Sequence, residues 1–282
     1  YPEEWFNDIG YTEVAGRKIK NWTSKPFGSI TFTKAVEQSV NSTFIQIAQR
    51  LGAQKFTEYI TAFGFGKPTG IALPGEGVGM QYTVSKMGPV ELATTSFGQS
   101  ISVTPIHMVS AISAVANDGK LMKPRIVKEV TDENGEIVES FEPEVVKRAV
   151  SKTTADQMLA IMESVVANGS GSATKIDGYR IGGKTGTAQK VIDGQYQSGY
   201  YIASFAAVAP IENPQVALLV IVDEPKGASY FGSTVLGSVV RQIMQDILRY
   251  LGVKPNAQAV IENNDSKIVI PEIRNRKYSE VA

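Results

Sequence analysis

Apolar residues return every three or four positions over 43–52, where Phe44, Ile47, Ala48 and Leu51 share one stripe. They do so again over 105–118, through Ile106, Val109, Ile112, Val115 and Ala116, between a Thr104-Pro105 start and an Asp118-Gly119 stop. That period predicts amphipathic helices. Shorter helical patterns cover 33–38 and 56–63. Thr154-Ala155-Asp156-Gln157 opens a further helix as a capping box, and Asn168-Gly169 closes it. The last long helix spans 235–251, carrying Val239, Val240, Ile243, Ile247, Leu248 and Leu251.

Elsewhere the period shortens to that of strands. Runs at 126–131 and 137–141 flank Asp132-Glu133-Asn134-Gly135, a hairpin signal. A strand through Lys184, Thr185 and Thr187, a turn over 193–199, a strand over 200–209, a Pro210-to-Pro214 turn and a strand over 215–223 predict an antiparallel meander. Residues 1–30 are aromatic and irregular, with Trp5, Phe6, Tyr11 and Trp22. Gly75-Glu76-Gly77-Val78-Gly79 lacks the strand-then-helix context of a nucleotide site and reads as loop.

Composition removes several chemistries. The 282 residues are 43% apolar and 20% charged, enough for one large core or two domains. Lysine plus arginine equals aspartate plus glutamate at 28 each, so nothing in the charge argues for nucleic acid or an anionic membrane surface. There is no cysteine, which excludes disulfides and Cys-based zinc sites, and the one histidine, His107, reads as a helix-surface or cap residue. Any acyl-transfer chemistry must therefore use lysine as base, and no metal or cofactor is expected.

Two motifs carry chemistry. Lys184-Thr185-Gly186 spells the Lys-Thr-Gly element of serine acyl-transfer enzymes that react with penicillin, and Ser39-Val40-Asn41 spells their Ser-x-Asn element. Each has a competing reading. Ser39-Val40-Asn41 could be no more than a helix start, with Asn41 or Ser42 as N-cap. Gly178 to Thr185 also matches the phosphate-loop pattern, and the 218–224 run ends in acid as a magnesium-holding strand does. A phosphate loop needs a buried strand before it and a helix after it. Here a polar Gly/Ser segment precedes and a glycine-broken segment follows, so a P-loop ATPase is the remote alternative. Gly182, Gly183 and Gly186 instead read as places where a substrate backbone could lie against the strand.

With Gly64-Phe65-Gly66, the run Gly182 to Gln189, Val222-Asp223-Glu224-Pro225 and Arg249-Tyr250-Leu251-Gly252 in one order, the chain resembles the transpeptidase domain of class B penicillin-binding proteins. The resemblance implies an α/β fold of the α+β type, an antiparallel sheet with helices on both sides. It implies a peptidoglycan D,D-transpeptidase that cross-links stem peptides through a serine acyl-enzyme and is blocked by β-lactams. By the same resemblance Lys184 supplies positive charge, Ser39 relays a proton and Asn41 holds a substrate amide. Thr185, Gly186 and Thr187 bind substrate, with the Thr187 amide in the oxyanion hole. The family implies a place on the extracytoplasmic face of the bacterial membrane, an anchor upstream of this chain and other cell-wall synthesis proteins as partners. A D,D-carboxypeptidase or β-lactamase, and a non-catalytic penicillin-binding sensor, remain alternatives on the same fold.

The family's Ser-x-x-Lys, which carries the nucleophile, has no fitting counterpart. Ser172-Ala173-Thr174-Lys175 has the spelling but follows Ser39, and Thr31-Phe32-Thr33-Lys34 has the wrong first residue. The nucleophile is therefore expected upstream of Tyr1, with residues 1–253 the carboxyl-side piece of the domain. Residues 254–267 read as a linker, and 268–282 resemble the opening of a PASTA module, as in a sporulation-associated group of Gram-positive proteins.

Overall fold

The computed structural model describes residues 1–256 apart from Ala228. The PASTA-like segment expected over 268–282 and all but the first three linker residues lie outside the described residues.

The first thirty residues are ordered into short strands rather than irregular: β1 (Trp5–Asp8), β2 (Tyr11–Val14), β3 (Arg17–Lys20) and β4 (Gly28–Thr31). β1 pairs antiparallel with β4, and β2 with β3. Such four-residue strands are too short for a period to show, and β1 meets a partner twenty or more positions away. Buried Asp8 fastens them together, accepting from the amides of Gly10 at 3.0 Å and Phe27 at 2.7 Å and from the Asn21 carboxamide at 2.9 Å.

Two helices follow, α1 (Phe32–Glu37) and α2 (Asn41–Ala62). α2 merges the two expected helices of this region across a kink at Gly52, whose φ of +76° glycine adopts without steric cost. A helix absent from the sequence reading, α3 (Pro89–Ser96), is short and threonine-rich and has Pro89 at its first turn. α4 (Pro105–Ala116) is capped as expected by Thr104. Next come β5 (Lys120–Met122), β6 (Glu129–Thr131), β7 (Ile137–Ser140) and β8 (Val145–Arg148). β6 and β7 make the expected hairpin, with Asp132 accepting from the amides of Asn134 and Glu136, while β5 pairs with β8. α5 (Lys152–Asn168) begins ahead of the Thr154 capping box, because the Ser151 hydroxyl takes the cap by accepting from the Thr154 amide at 3.1 Å.

The meander is β9 (Gly182–Ile192), β10 (Gln195–Ala209) and β11 (Val216–Asp223), in the order β11-β10-β9. Its first turn is tighter than expected. Asp193 and Gly194 both have positive φ, Gln195 pairs with Ile192, and the ladder slips between Tyr196 and Tyr201 instead of opening into a long loop.

Helices cover both faces. Ala203, Phe205, Ala207 and Ala209 of β10 pack on one side against Leu236, Val240, Met244 and Leu248 of α6 (Gly232–Tyr250). Val208, on the opposite face, packs with Val115 of α4 and with Leu159 and Met162 of α5. The buried face of α6 is thus the 236/240/244/248 row, and Val239 and Leu251 of the expected stripe are exposed. Close contacts set that rotation: a Cβ at Gly232 would meet the Gly186 and Ser204 carbonyls within 2.7 Å, and one at Gly237 would meet the Ala173 methyl at 2.4 Å. Among the described residues no helix is long and apolar enough to cross a membrane.

Candidate active site

The turn between α1 and α2 is tight. Val40 donates to the Ala35 carbonyl at 2.9 Å and Ser39 to the Val36 carbonyl at 3.2 Å, and Ser39 itself takes a φ of +51°. A non-glycine residue in the left-handed region stores strain and draws attention to function. That conformation brings its hydroxyl to β9, where the Lys184 ammonium donates to it. The same ammonium donates to the Thr185 carbonyl at 2.9 Å and approaches the Thr185 hydroxyl at 3.4 Å. These partners are neutral oxygens. Burial therefore dominates, and it lowers the Lys184 pKa to about 8.

Thr185 also meets Ser170, hydroxyl to hydroxyl at 3.3 Å. Sequence reading passed Ser170 over as part of a polar loop, and no local motif marks it. It reaches the cluster because the loop after α5 folds back on α1, where the Ser170 amide donates to the Glu37 carbonyl at 3.0 Å.

Asn41 begins α2, but neither Asn41 nor Ser42 caps it. The N-cap position is Val40, which has no side-chain oxygen to offer. The cap comes from a distant residue: Asn21 Oδ1 accepts from the Ser42 amide at 3.1 Å, and the Ser42 hydroxyl donates to Asp8 at 2.5 Å. This frees Asn41 from capping, and its carboxamide donates to the Lys20 carbonyl at 3.1 Å.

Gly186 and Thr187 lie farther along β9. Thr187 Oγ1 accepts from the Gly232 amide at 3.2 Å, which ties the strand to the start of α6. The expectation that three glycines admit a substrate backbone needs correction. A Cβ at Gly182 would strike Ile211 and Met162, one at Gly183 the Phe205 ring at 2.5 Å, and one at Gly186 the Ser204 hydroxyl at 2.3 Å. These glycines permit close packing inside the protein.

Neither Ser-x-x-Lys look-alike joins the cluster. Ser172–Thr174 is a short 3-10 turn against α6, with Thr174 buried. Thr31 caps α1, and Lys34 pairs with Glu37 at 2.7 Å. Of the two expected places for His107 it takes the cap and not the helix surface: it is 1% exposed, its amide donates to the Thr104 hydroxyl, Nδ1 lies 2.6 Å from that hydroxyl and Nε2 donates to the Lys67 carbonyl at 2.7 Å. The phosphate-loop reading also ends here, because Lys184 and Thr185 lie within a strand of an antiparallel sheet. Near Ser39, the Trp22 indole donates to the Gln38 carbonyl at 2.8 Å and meets Phe231 edge-on, beside stacked Tyr230 and Tyr201.

A mixed α/β domain with a lysine on the edge strand facing a serine on a helix-connecting turn defines the penicillin-binding class of fold. Residues 1–245 match the family described as the penicillin binding protein transpeptidase domain, and the chain belongs to that family. It is 42% identical to stage V sporulation protein D of Bacillus subtilis over 98% of its own length and 44% of that protein's. It is 32% identical to peptidoglycan D,D-transpeptidase FtsI of Escherichia coli, covering 92% of this chain and 42% of the relative. The chain thus spans less than half the length of either relative. Among solved structures, penicillin-binding protein 3 of Mycobacterium tuberculosis complexed with ampicillin superposes with a TM-score of 0.83 at 26% identity, over 91% of this chain and 59% of that one. The transpeptidase domain of Burkholderia pseudomallei penicillin-binding protein 3 gives 0.80 at 32%, over 90% and 74%.

Proposed function

We propose that the full-length protein is a serine D,D-transpeptidase that cross-links peptidoglycan stem peptides and is acylated by β-lactams. The observation that carries this reading is the convergence of Lys184, Ser39 and Thr185 at the edge of the sheet. Among the described residues β9 pairs only with β10, so its outer edge can accept an extended stem peptide as an added strand. Lys184 and the hydroxyls of Thr185 and Thr187 hold the terminal carboxylate, with Gly186 between them as bare backbone. The nucleophilic serine attacks the penultimate D-alanine carbonyl, whose oxyanion takes the Thr187 amide. Ser39, hydrogen-bonded to Lys184, passes a proton to the leaving nitrogen while Asn41 holds a substrate amide. D-Alanine departs, and an amine from a neighbouring stem takes the acyl group. The site stands on the extracytoplasmic face of the membrane, held by an anchor outside this chain and served by other cell-wall synthesis proteins.

Since both Ser-x-x-Lys look-alikes are engaged elsewhere, the nucleophile and its lysine come from sequence N-terminal to Tyr1. Labelled penicillin tests both parts of the reading. The full-length protein forms one stoichiometric adduct outside residues 1–282, and the 1–282 chain alone forms none. An adduct on Ser172 would overturn the placement. Release of the acyl group to water rather than to an amine would make the protein a carboxypeptidase or β-lactamase. Acylation without any turnover of stem peptides would make it a sensor.

A further inference from the structure

Glu37 is a carboxylate buried in the wall of the site, 4% exposed, that the chemistry above does not use. One oxygen accepts from the Ser164 hydroxyl of α5 at 2.5 Å, and the other pairs with Lys34 at 2.7 Å. Its backbone carbonyl takes the Ser170 amide at 3.0 Å. Gly169 lies so close that a Cβ there would stand 2.6 Å from that carbonyl. Asn168 donates to Ser164 at 3.2 Å, so the C-terminal turn of α5 and the loop after it are gathered on this one residue.

The contacts close a ring. From Glu37 the chain reaches Ser39 in two residues, Ser39 bonds Lys184, Lys184 approaches Thr185, Thr185 meets Ser170, and Ser170 returns to Glu37. Ser39 hangs on a turn with a strained φ, so its position relative to β9 depends on what fixes the end of α1. Backbone bonds and the Trp22 indole hold that end too, and the side-chain bond from Glu37 is what ties it to α5.

We propose that Glu37 is a positioning residue for acyl transfer, holding the Ser39 turn and the Ser170 loop in register with Lys184 and Thr185. This rests on the transpeptidase reading above. A misplacement of about 1 Å at a reacting group can cost up to ~100-fold in rate, and a loosened turn should cost on the order of ten-fold.

The test uses the full-length protein with a fluorescent penicillin, separating the acylation rate constant from the dissociation constant of the initial complex. Glu37→Ala and Ser164→Ala should each slow acylation about ten-fold with initial binding little changed, and the double variant should be no slower than Glu37→Ala, since both cut one tie. Glu37→Gln should keep most of the rate, because its amide oxygen can still accept from Ser164. Glu163→Gln serves as control: it removes a different polar tie of α5, the ion pair with Arg180, and should lower the melting temperature without slowing acylation. Unchanged acylation in both alanine variants, additive losses in the double variant, or an equal loss in the control overturns the proposal. Absence of acylation in the unsubstituted protein would sink the transpeptidase reading instead.

Discussion

The Lys184 ammonium donates to the Ser39 hydroxyl across 145 positions of sequence. The bond joins the start of an edge strand to a turn between two helices, and it uses the two motifs that stood apart in the chain.

Substitution of Lys184 should be severe. Losing a preorganised donor typically slows the chemical step ~10²–10³-fold, and Lys184→Ala should slow penicillin acylation of the full-length protein by that range in stopped-flow measurements. Lys184→Arg should recover little, because a planar fork cannot replace a point charge against three clustered oxygens. A near-normal rate in the alanine variant would show that the site is elsewhere.

Acylation should also fall as pH rises through about 8, the value to which burial lowers Lys184, since the ammonium is lost there. The stability effect has the opposite slope. Between about 8 and the ordinary 10.5 the unfolded chain binds more protons, so stability rises with pH across that window. Below it the folded state bears the cost of the buried ammonium, on the order of 1–3 kcal/mol after allowance for partial solvent contact. Lys184→Met should therefore be inactive yet more stable at pH 7, with the gain shrinking by pH 10 in denaturant titrations.

Asp8 offers a test of the N-terminal strands. Burial alone would raise its pKa, but the Phe27 amide, the Ser42 hydroxyl, the Asn21 carboxamide and the Gly10 amide together hold it below the usual carboxylate range. Its stabilisation is present above the unfolded value near ~3.9 and is lost as pH falls through the folded value. Asp8→Asn should cost about 2–3 kcal/mol at pH 7, in line with hydrogen bonds to a charged group. Urea midpoints measured from pH 6 down to pH 2 should show the difference from the unsubstituted protein shrinking.

His107→Ala should leave the acylation rate unchanged and lower stability by about 1–3 kcal/mol, because the Lys67 carbonyl and Thr104 hydroxyl lose a buried partner. Chelator treatment should change neither quantity. Loss of acylation with an unchanged melting temperature would give the imidazole a chemical role.

Sequence by itself determined much of the frame. The meander, the helices at α4, α5 and α6 and the β6–β7 hairpin follow from apolar period, caps and turn residues, which act over a few positions. The motif residues Lys184, Thr185, Ser39 and Asn41 were legible too, because their spelling needs no partner. Tertiary structure alone decided the rest. Ser170 and Glu37 enter the site through a loop folding back on α1, the α2 cap is supplied by Asn21 from a distant loop, and glycines at 182, 183 and 186 face packed neighbours. The rotation of α6 followed close approach at Gly232 and Gly237 rather than its richest aliphatic stripe. Each of these depends on contact between segments remote in the chain, and such contact leaves no period, cap or turn signature in either segment.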